Sequence, residues 1–380
     1  MDSSRRTTLP PPMFARTSLR LAVAIALSLP VVRAIAHEDH NSYEQHNLVS
    51  DGFAPADHLD RNLVNSWGIA FNPTAFVWVA DNQTGVATLY DGAGNPQSLV
   101  VNIPGVQVNS GHGSPTGIVF NASNDFAVST STASGPSRFL FATEEGVIAG
   151  WAPNVDVNNA LRAVVTTNAV YKGLTLAANG SGNFLYATNF RAGRIDVFDR
   201  TFQPVSMPGG FHDPSIPAGF APFNIQNIQG DLYVTYAKQD QARMDDVPGR
   251  GLGIVDVFDA NGILIRRIGT GGDLNAPWGL ALAPAEFGRF SNRLLVGNFG
   301  DGAILAFDPH DGAFLGRLHK STGGVLKIDG LWGLAFGNGL LGQSTGTLFF
   351  AAGPDHENHG LYGTIQAVPG GQDGDDDQDD

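Results

Sequence analysis

One short pattern recurs at nearly constant spacing along this 380-residue chain, and it limits the accessible folds more than any other feature. The copies read NSWGIAF (65–71), SPTGIVF (114–120), VYKGLTL (170–176), APFNIQN (221–227), APWGLAL (276–282) and GLWGLAF (330–336). Their pivot residues are Gly68, Gly117, Gly173, Asn224, Gly279 and Gly333, spaced by 49, 56, 51, 55 and 54 positions. A period near fifty marks an array of like units. Most copies are followed by an apolar run ending in polar or small residues, such as FVWVADN (76–82), FLYATNF (184–190) or RLLVGNF (293–299). Then comes a run ending in a tight turn, such as VATLYDG, and a looser one, such as QSLVVNI. Four short strands joined by turns make one antiparallel sheet, and six such sheets arranged radially make a β-propeller. The abundance of Gly (48) and Pro (22) suits the many turns this requires. Strands sandwiched between neighbouring sheets read as continuous apolar runs, as they do here.

The fold expected is therefore all-β: a six-bladed β-propeller of four-stranded antiparallel blades. The pivots should lie on the innermost strands, where backbones crowd around the axis. Gly is favoured there, and Asn224 reads as the substitute for a position with positive φ. The last copy ends at LYGTIQAV (361–368) without a fourth strand, while HNLVSDG (46–52) has no sheet of its own. That N-terminal segment is expected to close the sixth blade and cover its open edge. In the second blade FAVSTSTASGPS (126–137) is an insertion, and residues 121–137 receive no fold from sequence.

The ends divide the chain further. Residues 1–36 read as an export signal: Arg5, Arg6, Arg16 and Arg20, then LAVAIALSLPVV (21–32), then Ala34-Ile35-Ala36 as a cleavage site. The sequence offers Met1 and Met13 as alternative starts and does not choose between them. The apolar segment is too short for a stable membrane span. Residues 37–45 read as a flexible leader, 46–368 as the propeller and 369–380 as an acidic disordered tail. Removing the signal leaves 17 basic against 35 acidic residues, a net charge of −18. Such a balance argues against a nucleic-acid partner, which needs Lys and Arg. The absence of Cys rules out thiol catalysis and thiolate metal sites, so stability must come from the core. A periplasmic or extracellular location and a monomer are expected.

The runs NLVNSWGIAFNP, VWVADNQTGVATLYDGAGNPQSLVV, NAPWGLALAP, LLVGNFGDGAILAFDP and IDGLWGLAFGNG resemble a family of uncharacterised exported bacterial proteins. More distantly the repeats are similar to NHL propellers. The resemblance spans about 46–366 and implies the fold and an exported location, with no activity attached. Some members are associated with the PEP-CTERM sorting system, but after Val368 this chain has neither Pro-Glu-Pro nor an apolar span, only an Asp-rich tail.

Loops on a rigid scaffold are where binding usually resides. One face should carry the residues before each pivot and the turns between second and third strands, among them Asp81-Asn82, Glu144-Glu145, Asn189 and Asp355-His356. Trp67, Phe223, Trp278 and Trp332 are expected to form an aromatic collar at the channel mouth, with Lys172 beside them. Lys238 and Asp240 begin the long insertion KQDQARMDDVPGRG (238–251), a candidate binding loop. Aromatic collars suit sugar rings, planar ligands or peptides. An alternative is a hard-cation site on the axis, with Asp81, Glu145, Asn189, Asn224 and Asn298 as oxygen donors and calcium as the cofactor. Six-bladed hydrolases and lactonases, similar to this chain in architecture, hold a metal in that manner.

Other motifs fall away. GRGLGIVD (249–256) leads into a strand and lacks the third Gly of a dinucleotide fingerprint. GQSTG (342–346) around Ser344 lacks the strand-then-helix setting of a nucleophile elbow. HEDHNSYEQH (37–46) misses the His-Glu-x-x-His spacing. Asn82, Asn121 and Asn179 head glycosylation sequons. Function is expected to be a binding or interaction module for an extracellular small molecule, glycan or protein, the alternative being a metal-dependent hydrolase or lactonase.

Overall fold

The computed structural model describes residues 42–107 and 111–368. It is built of six four-stranded antiparallel blades, each with its strands in sequence order from the axis outward, except that the second blade's order is interrupted by the insertion and the sixth is completed by the N-terminal strand. The first strands are Ser66–Phe71, Pro115–Phe120, Tyr171–Ala178, Phe220–Ile228, Pro277–Leu282 and Leu331–Phe336. Each packs against the first strand of the next blade, and the sixth returns to the first, so the ring is closed. A single turn of 3-10 helix, Gly288–Phe290, is the only helix among the described residues, and no helix there is long and apolar enough to cross a membrane.

The seam of the ring is as the sequence implied, with one shift. Strand Ser42–Ser50 pairs antiparallel with Leu361–Val368, matching Ser42 to Val368 and His46 to Thr364. It begins at Ser42 rather than 46, so residues 42–45, expected to belong to a flexible leader, are part of the sheet. The reason is Tyr43, which is 1% exposed. Its hydroxyl donates to the Phe287 carbonyl at 3.1 Å and its ring stacks near Phe290, fastening the strand to the fifth blade. The short segment His58–Leu59 then runs parallel to the new outer strand and covers part of its edge. The export signal, residues 37–41 of the leader and the acidic tail lie outside the described residues.

The pivots do their work through close approach, not through unusual dihedrals. None of Gly68, Gly117, Gly173, Asn224, Gly279 or Gly333 has a positive φ, which corrects the reading of Asn224. A Cβ on Gly333 would lie 2.4 Å from the Trp67 carbonyl oxygen, and one on Gly117 would lie 2.4 Å from the Leu174 nitrogen. Adjacent first strands therefore touch backbone to backbone, and only a residue without a side chain permits it. Asn224 keeps its place by using its side chain, whose amide donates to the Trp278 carbonyl across the blade boundary at 2.8 Å.

Apolar side chains from facing sheets fill the spaces between blades. Trp78 stacks on Phe139 at 4.1 Å between the first and second blades. The insertion in the second blade forms a small hairpin, Ala127–Ser129 with Ser134–Pro136, which places Phe126 and Val128 into the core next to the third blade. Two of the sequon asparagines serve the fold: Asn82 and Asn121 are buried, and Asn121 donates to the Ser137 and Asp125 carbonyls.

Candidate functional site

The residues preceding the pivots meet at one end of the channel and fill it. Trp332 lies between Trp67, 3.5 Å away, and Phe299, 3.8 Å away, both nearly parallel to it. Trp278 stands edge-on to Trp67 and Trp332, and Phe223 and Phe190 complete the cluster. All of these but Phe299 are buried. The expected collar is thus a plug, its rings satisfied by one another in the offset and edge-to-face arrangements aromatics prefer. Trp278 donates its indole N–H to the Lys172 carbonyl, and Trp332 donates to the Asn65 side chain. The Trp67 indole N–H is buried and has no partner among the described residues.

Lys172 stands directly on this plug. Its side chain is 3% exposed, and its ammonium lies 5.1 Å from the centre of the Trp67 ring. It forms ion pairs with Glu144 and, at 2.9 Å, with Asp245. Burial acts against its charge, but the Glu144 and Asp245 carboxylates outweigh that and hold its pKa above the ordinary lysine value. Two further carboxylates, Asp246 and Glu357, feel the same ammonium. Asp246 is pushed up to about 7 by burial, with Lys172 opposing and the negative charges of Glu357 and Asp245 adding to the rise. One of its oxygens is buried without a hydrogen bond among the described residues. Glu357 is raised as well, chiefly by burial.

Each carboxylate is delivered by a different local device. Glu144 sits in the tight turn between Phe139–Thr143 and Val147–Trp151, where it accepts from the Asn82 amide at 3.1 Å. Glu357 ends a run of three left-handed residues, Asp355, His356 and Glu357, with φ of 53°, 56° and 67°. Each costs on the order of 1 kcal/mol for a side chain other than Gly. The excursion brings Glu357 to the Asn65 amide at 3.3 Å. Asp245 and Asp246 come from the 238–251 insertion. Asp240 shapes that loop by accepting the Met244 N–H at 2.8 Å, and Gln239 ties it down on the Phe190 carbonyl. A chain of hydrogen bonds, Trp332 to Asn65 to Asn82 to Glu144, links plug and carboxylates.

Of the binding candidates, then, Trp67, Lys172, Phe223, Trp278 and Trp332 come together. Lys238 is exposed at the end of its strand, and Asp240 acts as the brace of its own loop. The oxygen donors considered for a cation are each engaged elsewhere. Asp81, fully buried, accepts from Ser66 and Thr88 at 2.9 and 2.7 Å. Glu145 accepts the Ser114 N–H with both oxygens at 3.0 Å. Asn189 donates to Asp196, Asn298 donates to the Asp273 carbonyl, and Asn224 bridges to Trp278. Among the described residues no group of three or more His, Asp or Glu side chains is disposed to hold a metal ion. Sequence reasoning missed Glu144, Asp245, Asp246 and Glu357 as a group. The only signal was that all four fall in turns or loops of one face.

Two proteins of Acanthamoeba polyphaga mimivirus resemble the chain along most of its length. Uncharacterized protein R648 is 34% identical over 330 residues, covering 84% of this chain and 78% of its own. Uncharacterized protein L690 is 35% identical over 329 residues, covering 84% of each. The chain belongs to their family. No family model matches it. Its relatives in this family carry no stated activity, and the two named here are viral. Solved structures agree with the architecture: a Bacteroides thetaiotaomicron protein of unknown function has a TM-score of 0.53 at 11% identity, covering 86% of this chain and 76% of that one. A streptogramin B lyase has a TM-score of 0.50 at 11% identity, covering 86% and 98%. At such identities the likeness concerns the fold alone.

Proposed function

We propose that this family member is a binding module working outside the cytoplasm, and that its ligand seats over Lys172 and carries a positive charge or several hydrogen-bond donors. The observation that supports this is the imbalance of charge on the plugged face: four carboxylates surround one ammonium. All four residues lie at least partly open to solvent on a base of stacked aromatics. A rigid base and fixed carboxylates lower the cost of ordering on binding. The partners envisaged are an extracellular small molecule, a glycan or a protein presenting amines. The export signal read at residues 1–36 supports the location.

The test is calorimetric titration with spermidine, glucosamine, glucose and glucuronate at low and moderate salt. Binding by the amines that weakens with salt, and that is lost in Glu144→Gln, supports the reading. Equal binding of glucuronate, or none by any of the four, overturns it. A metal-dependent hydrolase retains one observation in its favour, the same excess of carboxylates at the axis. For that reading, calcium should raise the melting temperature and chelation should lower it.

A further inference from the structure

The outer edge of the third blade is incomplete. In the other five blades a glycine at the start of the third strand accepts a backbone N–H from the outer segment. The bonds run from Ile103 to Gly85, Thr166 to Gly146, Gly271 to Gly253, Ile328 to Gly302 and, at the seam, Asp51 to Gly360. Two residues further on, Ala87, Ile148, Val255, Ile304 and Tyr362 are also met along that edge. In the third blade the matching residues are Gly193 and Ile195, around the start of strand Arg194–Phe198. Neither is met on that side among the described residues, because the fourth strand, Pro204–Val205, reaches only Phe198 and Val197. Asp199 donates to the Gln203 carbonyl across this edge at 2.9 Å. Alternate residues of a strand face the same edge, so the N–H and C=O of Ile195 point outward as well.

The sequence explains the short fourth strand. It runs into SMPGGFHDPSIPAG (206–219), with three Pro and three Gly, which cannot supply a ladder of N–H groups. Phe211 draws this loop towards the fourth blade: its N–H donates to the Gly262 carbonyl at 2.7 Å, and its ring packs against Tyr186 and Phe258. A recess of about 830 Å³ lies beside the bare edge, lined also by residues 164–167 of the second blade and by Met207 and Phe211. Its charged side chains are Arg194 and Asp196, with His212 beside them. Asp196 is already engaged by Tyr171, Asn189 and Arg194, at 3.0, 2.8 and 2.6 Å. Arg194 uses only its Nε in that pair, and its side chain is 63% exposed. The charge left without a counterpart in the recess is therefore positive.

We propose that this recess docks an extended acidic segment of a partner protein, which adds to the third blade as the continuation of its outer strand. The segment donates backbone N–H groups to the Gly193 and Ile195 carbonyls and accepts the Ile195 N–H, the contacts of strand addition. Its side chains alternate. One set places a carboxylate on the terminal guanidinium nitrogens of Arg194; the other is apolar and lies beside Met207 and Phe211, which share a cluster with Ile195. Residues 193–196 accommodate about four residues of strand at roughly 3.3 Å each. The site is on the circumference of the ring and independent of the axial face that carries Lys172.

The experiment titrates the purified chain with the fluorescently labelled peptide Ser-Val-Glu-Val-Glu-Val-Ser and follows anisotropy. One comparison peptide carries Lys in place of Glu, and another is N-methylated on all its backbone nitrogens. Expected are one saturable site for the Glu peptide and at least tenfold weaker binding of both comparisons. Hydrogen exchange at residues 193–197 should slow when the Glu peptide is bound. Ser206→Trp, at an exposed position in the lining, should weaken binding at least tenfold with an unchanged melting temperature. Arg194→Gln should weaken the Glu peptide and erase its advantage over the Lys peptide. Equal binding of the N-methylated peptide, protection that falls elsewhere, or no saturable binding of the Glu peptide overturns the proposal. So does a dimer that Ser206→Trp dissociates, or binding that appears only once residues 369–380 are deleted, because a second copy or the chain's own tail would then be the occupant.

Discussion

Lys172 shows how much one side chain organises. Its ammonium is the counter-charge for a group of carboxylates gathered from three blades, and it also rests on Trp67. Lys172→Met should therefore destabilise the fold by about 2–3 kcal/mol in urea unfolding at pH 8. This is somewhat less than the loss from breaking a fully buried pair, since the Asp245 side chain is 70% exposed. The deficit should shrink on acidification as the carboxylates take up protons. Asp246 gives a sharper pH signature. Unfolded, it titrates near the usual aspartate value of about 3.9; folded, near 7. Below pH 4 it is protonated in both states. Between pH 4 and 7 the unfolded chain releases its proton first, so stability falls as pH rises, and the loss is complete above 7. Asp246→Asn should match the parent at pH 4 and exceed it by up to about 4 kcal/mol at pH 8, at about 1.4 kcal/mol for each unit of the difference. Asp256, pushed to about 6 by burial, adds a slope of the same sign that both proteins share. A variant no more stable than the parent at pH 8 would contradict this account of Asp246. None of this was legible beforehand. Glu144 and Glu145 are identical in sequence terms, yet the first turns to Lys172 and the second to the Ser114 N–H, a difference set by the geometry of one turn.

At the level of single strands the sequence was far more readable, because the constraint there is steric and repeats. Five of six pivots are Gly since the next blade's backbone leaves no space for a Cβ. Gly333→Ala should cost about 1–3 kcal/mol through overpacking, seen as a lowered melting temperature. Gly182→Ala, whose Cβ would meet nothing closer than 3.9 Å at an ordinary φ, should change little. If the two behave alike, close approach is not what the pivots serve. Asn224 shows where pattern reading falls short. Its type suggested a backbone conformation, whereas its role is a side-chain bond to the neighbouring blade. The closing strand was legible from an unpaired apolar segment, but its start was not. Ser42 to Gln45 are polar around a single Tyr, and only the contact of Tyr43 with the fifth blade shows that they belong to the sheet.

Across the whole molecule, periodicity revealed the number of blades, and the two ends of the channel could be told apart only in three dimensions. One end is sealed by indoles beneath an ionic cluster; the other opens as a recess walled by the first strands of all six blades. The sealed end follows from the repeated heptapeptide, whose residue before the pivot is Trp in three copies and Phe in a fourth. The shared family with the two viral proteins adds sequence relatives along this span without adding an activity. The seam of the ring carries a consequence for biosynthesis. Five wedges can settle as they emerge from the ribosome, but the sixth needs material from both extremes of the described span. A product halted before residue 361 would remain a crescent with bare hydrogen-bonding edges, the kind of surface that invites chaperones, proteases and aggregation. Closing the circle thereby distinguishes a message translated through to that point from one that was cut short.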